Sequence, residues 1–253
     1  MIRAEQLTKT FHRTRVLDAL GLEIAAGERV ALVGANGAGK TTLIRCLLGE
    51  YRYEGTIAVG GRDPRAERTE VLRGTGFVPQ LPPPLRMPVG ALLEFAATVC
   101  GGSTAPMEAV AMRLGLDARA LWKRPFAKLS GGQKQKLLIA VALGRECALL
   151  VLDEPAANLD PPARRAFFEL LAERPGATML ISSHRIDEVA SLVSRVVELD
   201  HGRVVLDDRV LGAAALDAVL RCRVELVEIS EAAAAALEGW GSRHAMEASY
   251  SRA

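Results

Sequence analysis

Hydrophobic positions along this chain follow two periods, and the alternation between them lays out strands and helices in turn. Three stretches are almost wholly apolar: residues 29–33 (RVALV), 148–152 (ALLVL) and 178–182 (TMLIS). Runs of that length predict strands of a parallel sheet, buried on both faces. Shorter strands are predicted at 2–7, 22–24, 56–59 and 76–78, and a hairpin at 195–199 and 203–206 around Asp200-His201-Gly202. Helical spacing places Leu43, Ile44, Leu47 and Leu48 on one face, with Gly49 positioned to end the helix. Further helices are predicted at 89–99, 107–114, 134–146, from Pro161 through Leu171, and 186–193. Strands interleaved with helices in this way predict an α/β fold.

Polar and turn-forming residues supply the punctuation. The run Leu81-Pro82-Pro83-Pro84, followed by Pro88, excludes helix and stiffens the chain, so a boundary is predicted there. Residues 60–70 are polar and turn-rich. The last 45 residues differ from the rest, with an Ala-rich helix over 230–239 and a polar end from Gly241.

Candidate chemistry concentrates where apolar runs stop. Gly34 to Thr42 reads GANGAGKTT, with Gly34, Gly39, Lys40 and Thr41 on the fixed positions of G-x-x-x-x-G-K-[ST]. A strand precedes it and a helix follows. Glycines let backbone N–H groups turn inward, and the helix N-terminus adds partial positive charge, so the loop is an anion cradle. Asn36 and Gly37 lie within that cradle. Lys40 reaches the outer phosphates, the Thr41 hydroxyl is placed for magnesium, and Thr42 adds a further phosphate contact.

Three more groups stand out. Ser130-Gly131-Gly132-Gln133 opens a helix, with Ser130 as its N-cap and glycines leaving donors accessible, which makes a second anion site. Asp153-Glu154-Pro155 ends a buried strand, where α/β folds place ligands. Adjacent strand positions point opposite ways, so one carboxylate can face magnesium and the other a water. His184 follows the strand at 178–182 and lies at the same edge. Phe11 is read as lying in the polar link between the first two strands, where it either stacks on an adenine or plugs a sheet edge.

Composition changes the picture only by exclusion. The chain is 49% hydrophobic and 25% charged, which allows a real core. Its formal charge of +2 argues against a nucleic-acid partner. Cys46, Cys100, Cys147 and Cys222 each sit in or beside an apolar run and are expected to be buried, reduced thiols. No run approaches the roughly 18 apolar residues of a membrane span. The N-terminal segment has no apolar core of the secretory kind, so a cytoplasmic chain is expected.

Taken in order, these motifs resemble those of the ATP-binding subunit of an ABC transporter, over about residues 2 to 208. GANGAGKTT is similar to the Walker A loop, Gln80 to the Q-loop glutamine, and LSGGQ at 129–133 to the signature. LLVLDEP at 149–155 is similar to Walker B, Asn158-Leu159-Asp160 to the D-loop, and His184 to the switch histidine. The resemblance implies a P-loop NTPase core, mainly a parallel sheet with helices on both faces. It also implies an N-terminal antiparallel β part and an inserted α-helical subdomain. On that reading residues 1–80 and 147–208 form the ATP-binding core, 81–146 the helical signature subdomain, and 209–253 an extension of unassigned role.

The resemblance also implies roles. Asp153 supports magnesium, with Thr41 and Gln80. Glu154 is the base or water-orienting group, His184 contacts the γ-phosphate, and Phe11 stacks on adenine. Ser130, Gly131, Gly132 and Gln133, with Asp160, serve an ATP held by a second copy in a head-to-tail dimer. Cofactors are then ATP and Mg2+, and the further partner is a polytopic membrane subunit that holds the chain at the inner face of the cell membrane. An exporter or extruder is slightly favoured over an importer. The pattern departs from the family at Leu81–Pro84, which is stiffer than usual, and at Asn158, where a small residue is commoner. Two other classes compete. A soluble ABC ATPase acting on DNA or ribosomes would carry a coiled coil or a second cassette, and a low-turnover scaffold would carry a damaged Lys40 or Glu154. None of these features is in the sequence.

Overall fold

The structure is a computed structural model and describes residues 1–183 and 186–209. His184 and the expected extension from residue 210 onward lie outside the described residues. The chain begins with two long antiparallel strands, β1 (Ile2–Phe11) and β2 (Thr14–Ile24). β4 (Glu54–Val59) pairs with the other edge of β1, giving a three-stranded antiparallel sheet in the order β2-β1-β4.

The second sheet carries the site. Its strands are β3 (Arg29–Val33), β5 (Thr75–Val78), β6 (Leu149–Asp153), β7 (Thr178–Ser182), β8 (Arg195–Asp200) and β9 (Arg203–Arg209), in the order β5-β6-β7-β3-β8-β9. All pairs are parallel except β8 with β9, which form a hairpin.

Burial on both faces explains the uninterrupted apolar runs. On β6, Leu149 and Val151 join the core shared with the antiparallel sheet and α1 (Lys40–Leu47). Leu150 and Leu152 point the other way, into the core formed with the helices of the opposite face. Those helices are α3 (Val89–Cys100), α4 (Ala105–Arg113), α5 (Gly131–Leu143) and α6 (Pro161–Ala172). Phe126 and Phe167 are the largest fully buried side chains there. Each such ring contributes about 3 kcal/mol or more against truncation. Close packing reaches the backbone in α3, where a Cβ on Gly90 would collide with the Trp122 ring and the Gly90 N–H donates to the Trp122 carbonyl at 2.9 Å.

Several expectations need correction. β1 runs to Phe11 and pairs it with Thr14, so Phe11 is a strand end at a two-residue turn, not part of a link. Register shifts near Leu7 and Lys9, and positive φ at Gln6 and Ala19, break the alternation that would have revealed the full strands. The turn-rich stretch runs into a short helix, α2 (Arg68–Arg73), whose one buried side chain is Val71. Gln80, read as ending the strand at 76–78, lies two residues beyond β5, which stops at Val78 as that run predicts, and Gln80 is exposed. The helix after β7, α7 (Ile186–Val189), stops short of Val193. Among the described cysteines Cys46 is buried, its thiol pushed up to about 11 by desolvation, while Cys100 and Cys147 are only half-buried. All three are free thiols.

Candidate functional site

The loop after β3 is shaped by its glycines. Gly34 has φ +140°, and a Cβ there would collide with the Leu199 carbonyl. Gly39, the N-cap of α1, has φ +109°, and a Cβ would lie 2.9 Å from Leu17 Cδ2 and 3.0 Å from the Val16 carbonyl oxygen. No L side chain suits either position. Lys40 opens α1 and is 7% exposed. Its Nζ donates to the Gly34 carbonyl at 2.6 Å and to the Ala35 carbonyl at 3.2 Å, so the loop wraps around the lysine head. Asn36 and Gly37 are exposed on the loop crest; Thr41 and Thr42 are half-buried in the first helical turn.

The carboxylates lie two strands away, across β7. Asp153 closes β6 in register with Ser182, the last residue of β7, and Ser182 is in register with Leu32 of β3. The Ser182 hydroxyl donates to Asp153 Oδ1 at 2.6 Å and accepts from the Glu154 N–H at 2.9 Å. The Glu154 N–H also reaches the Ser182 carbonyl at 3.3 Å. On the other side the Ser183 N–H donates to the Leu32 carbonyl at 3.2 Å. Ser182 therefore ties the acidic pair to the strand that feeds the phosphate loop. Asp153 and Glu154 are 2% and 8% exposed.

Glu154 carries a further mark. Its φ is +46°, a left-handed conformation that costs a non-glycine residue about 1 kcal/mol or more and concentrates at functional sites. Strand alternation does not aim it, as the sequence pattern suggested; β6 ends at Asp153 and a backbone reversal turns Glu154. A cavity of about 200 Å³ opens beside it, lined by Glu154, Pro155, Arg164, Ser182, Glu188 and neighbouring residues.

The start of α5 has the expected cap. The Ser130 side chain accepts from the Gln133 N–H at 3.2 Å, and the Gln133 side chain accepts from the Ser130 N–H at 3.0 Å. Ser130 and Gly131 are exposed and Gly132 is half-buried, so this helix end faces outward. One turn on, α5 is bound to the acidic strand's exit. The fully buried Gln135 donates to the Pro155 carbonyl at 3.0 Å, and Lys136 Nζ lies 2.6 Å from Asp160 Oδ2. Asp160 also caps α6, accepting from the Ala163 N–H at 2.9 Å.

Lys136 foremost, and then the Ala163 N–H, hold the Asp160 carboxyl below its ordinary value. A depressed carboxyl stabilises the fold above its unfolded pKa of about 3.9, and that contribution fades as pH falls through the lower folded value. Asp160→Ala is expected to lower the thermal midpoint near pH 7, with the deficit shrinking below about pH 4, where the unfolded parent chain takes up the proton, and vanishing once pH is below the lowered folded value. Calorimetry of both proteins across pH checks this; a deficit constant down to pH 2 would mean the ion pair and charged cap contribute nothing.

Ser182, Gln135 and Lys136 were not singled out in the sequence. Ser182 had a signal, a hydroxyl at the end of an otherwise apolar run; the other two are visible only once α5 and the strand exit are packed together. The structure brings the phosphate loop and the acidic pair to one edge of the sheet. Phe11 is half-buried and meets Tyr51 edge to face, with ring centroids 5.1 Å apart. No helix among the described residues is long and apolar enough to cross a membrane.

The family model described as ABC transporter matches residues 17–157. The phosphonates import ATP-binding protein PhnC of Stutzerimonas stutzeri is 35% identical over 232 residues, covering 81% of this chain and 83% of that protein. The aliphatic sulfonates import ATP-binding protein SsuB of Mycobacterium sp. (strain MCS) is 37% identical over 217 residues, covering 83% and 84%. A solved ATP-binding subunit of an ABC transporter superposes with a TM-score of 0.77 at 28% identity, covering 88% of this chain and 95% of that one. Both curated relatives are named for import, so the direction favoured from sequence, export, finds no support in them. With the family model spanning more than half of the chain, and the phosphate loop and the acidic pair on one sheet edge, the chain belongs to the ABC transporter family as one of its ATP-binding, ATP-hydrolysing subunits.

Proposed function

We propose that this chain is the motor of a solute importer, in which two copies enclose two ATPs head to tail and drive a separate membrane-spanning subunit. The observation that carries the reading is the Ser182 junction, where the acidic pair and the phosphate-loop strand meet on a buried hydroxyl. Asp153, held at 2.6 Å by Ser182, is pre-aimed as a metal-supporting carboxylate. Thr41, Gln80 and Asp153 offer oxygen donors only, the set that suits magnesium. When bound, magnesium would neutralise charge on the β- and γ-phosphates. Lys40 and the loop N–H groups hold the outer phosphates, and Glu154 takes or orients the proton of the attacking water. His184 is assigned to the γ-phosphate on the family pattern alone.

The outward-facing cap of α5 supports the dimer. Its donors, Ser130, Gly131, Gly132 and Gln133, are offered to a neighbour's nucleotide, and Asp160 stands beside them through Lys136. Residues 81–146 then act as a helical arm that moves this cap, with 1–80 and 147–208 as the ATP-binding core. The import direction rests on the names of the relatives, and a cytoplasmic position at the membrane's inner face follows from the same reading.

Affinity purification of the tagged chain from native membranes in mild detergent tests the assignment. A polytopic membrane protein is expected to co-purify, together with solute uptake that stops when the chain is deleted. A bait that brings ribosomes or DNA-bound proteins instead, with no membrane protein, would sink it.

A further inference from the structure

At the end of β1 and the exit of α1, Phe11 belongs to a cluster whose other members, Tyr51, Arg45 and Lys9, the ATPase reading leaves unused. Phe11 stands at the tip of the β1–β2 hairpin, and β2 touches the loop: a Cβ on Gly39 would meet Leu17 and the Val16 carbonyl, three and two residues past the strand's first residue, Thr14. Tyr51 follows α1 beyond Gly49. Its ring meets the Phe11 ring at 83°, with 5.1 Å between centroids. The Arg45 guanidinium donates to the Tyr51 hydroxyl at 2.7 Å and lies 5.6 Å from the ring centre. Lys9, two residues before Phe11 on the same strand, places Nζ 4.6 Å from the Phe11 centroid and 5.5 Å from that of Tyr51.

We propose that Tyr51 is a positioning residue for nucleotide-base recognition, holding the Phe11 ring as the platform on which a purine stacks. The inference rests on the reading of Phe11 as the base-stacking aromatic. The argument is one of lost freedom. A phenylalanine at a two-residue turn has two side-chain torsions to surrender when a base lands on it. The edge-to-face contact with Tyr51 and the Lys9 ammonium over the ring restrict both torsions before the base arrives, so less entropy is lost on binding. Arg45 in turn fixes Tyr51 from helix α1, whose first turn carries Lys40 and Thr41. The base platform and the phosphate cradle are thereby tied to one helix.

The test compares two ligands that share phosphates and differ in the base: ATP and inorganic tripolyphosphate, each with magnesium. The ratio of their affinities, from calorimetric or fluorescence titration, isolates the contribution of the base. Phe11→Ala is expected to reduce that ratio by about tenfold. Tyr51→Ala is expected to reduce it by about threefold while leaving tripolyphosphate affinity unchanged, and Tyr51→Phe is expected to keep most of it. Tyr51→Leu, which keeps apolar bulk without the ring, serves if the alanine variant folds poorly, and it should show the same selective loss. If the Tyr51 variants weaken both ligands equally, or lower only the thermal midpoint, the cluster is a packing device and the proposal fails while the Phe11 reading stands. An unchanged ratio in Phe11→Ala would instead remove the base-stacking role of Phe11 and the proposal with it.

Discussion

Glu154→Gln is expected to lower steady-state ATP turnover by about a hundredfold or more while ATP affinity stays within about threefold. Glutamine has the size and shape of glutamate, so the buried position, 8% exposed, can accept it. The main-chain N–H that bonds to Ser182 is untouched, and Asp153 keeps its own bond to the Ser182 hydroxyl. What disappears is the carboxylate charge, one residue beyond the metal-supporting carboxylate. The backbone that carries that charge is left-handed, with φ +46°. Loss of a positioned base removes an interaction made in the transition state and not in ATP binding, so kcat falls and affinity does not. With hydrolysis slow, ATP should hold two copies together, and light scattering with saturating ATP and magnesium should report a dimer. Parent-like phosphate release would show that another group handles the water. A monomer under those conditions would remove the head-to-tail arrangement.

How much of this was legible in the chain depends on whether the determinant is local. Strands β3 and β7 have the limits their apolar runs predict, because burial on both faces leaves no polar residue inside them. Ser130 was readable as a cap because a cap is a local motif, and the structure supplies the reciprocal Gln133 bond. The antiparallel strands were underestimated because their bulges erase the alternation that reveals a half-buried strand. Helix α2 was invisible because it buries a single side chain, Val71, and so has no apolar stripe.

The same distinction governs the site. The loop from Gly34 to Thr42 is contiguous, and its identity survives in a string of letters. The Ser182 junction depends on register between β6 and β7, residues 29 positions apart, and no periodicity encodes it. The bonds from α5 to Pro155 and Asp160 depend on how a helix packs against a strand exit. Chemistry was therefore readable as candidate residues, while the contacts that aim them were not. In the stiff Leu81–Pro84 run, Leu81 is among the most exposed large apolar residues, and the Pro83 carbonyl accepts from the Leu85 N–H at 2.8 Å.

Lys40→Ala is expected to weaken ATP binding by about a hundredfold, the usual result of truncating a buried cation that faces an anionic partner. Two losses combine. The first is the charge itself: Lys40 is 7% exposed, held where water screens it poorly, so its attraction to the outer phosphates is strong. The second is the loop. Lys40 Nζ bonds the Gly34 and Ala35 carbonyls at 2.6 and 3.2 Å, and removing it leaves both without that donor. The backbone cradle then loses its internal tie, and its N–H groups must be ordered by the ligand at an entropic cost. Lys40→Arg separates the two contributions. It keeps the charge, but a planar guanidinium is a poor substitute for a compact ammonium inside a turn of this size, so an intermediate loss of about tenfold is expected. Titration with ATP, at constant ionic strength because screening alters the charge contribution, gives all three affinities. If Lys40→Ala bound ATP as tightly as the parent, the phosphates would have to sit elsewhere, and the loop's wrapping around Lys40 would be a structural device only.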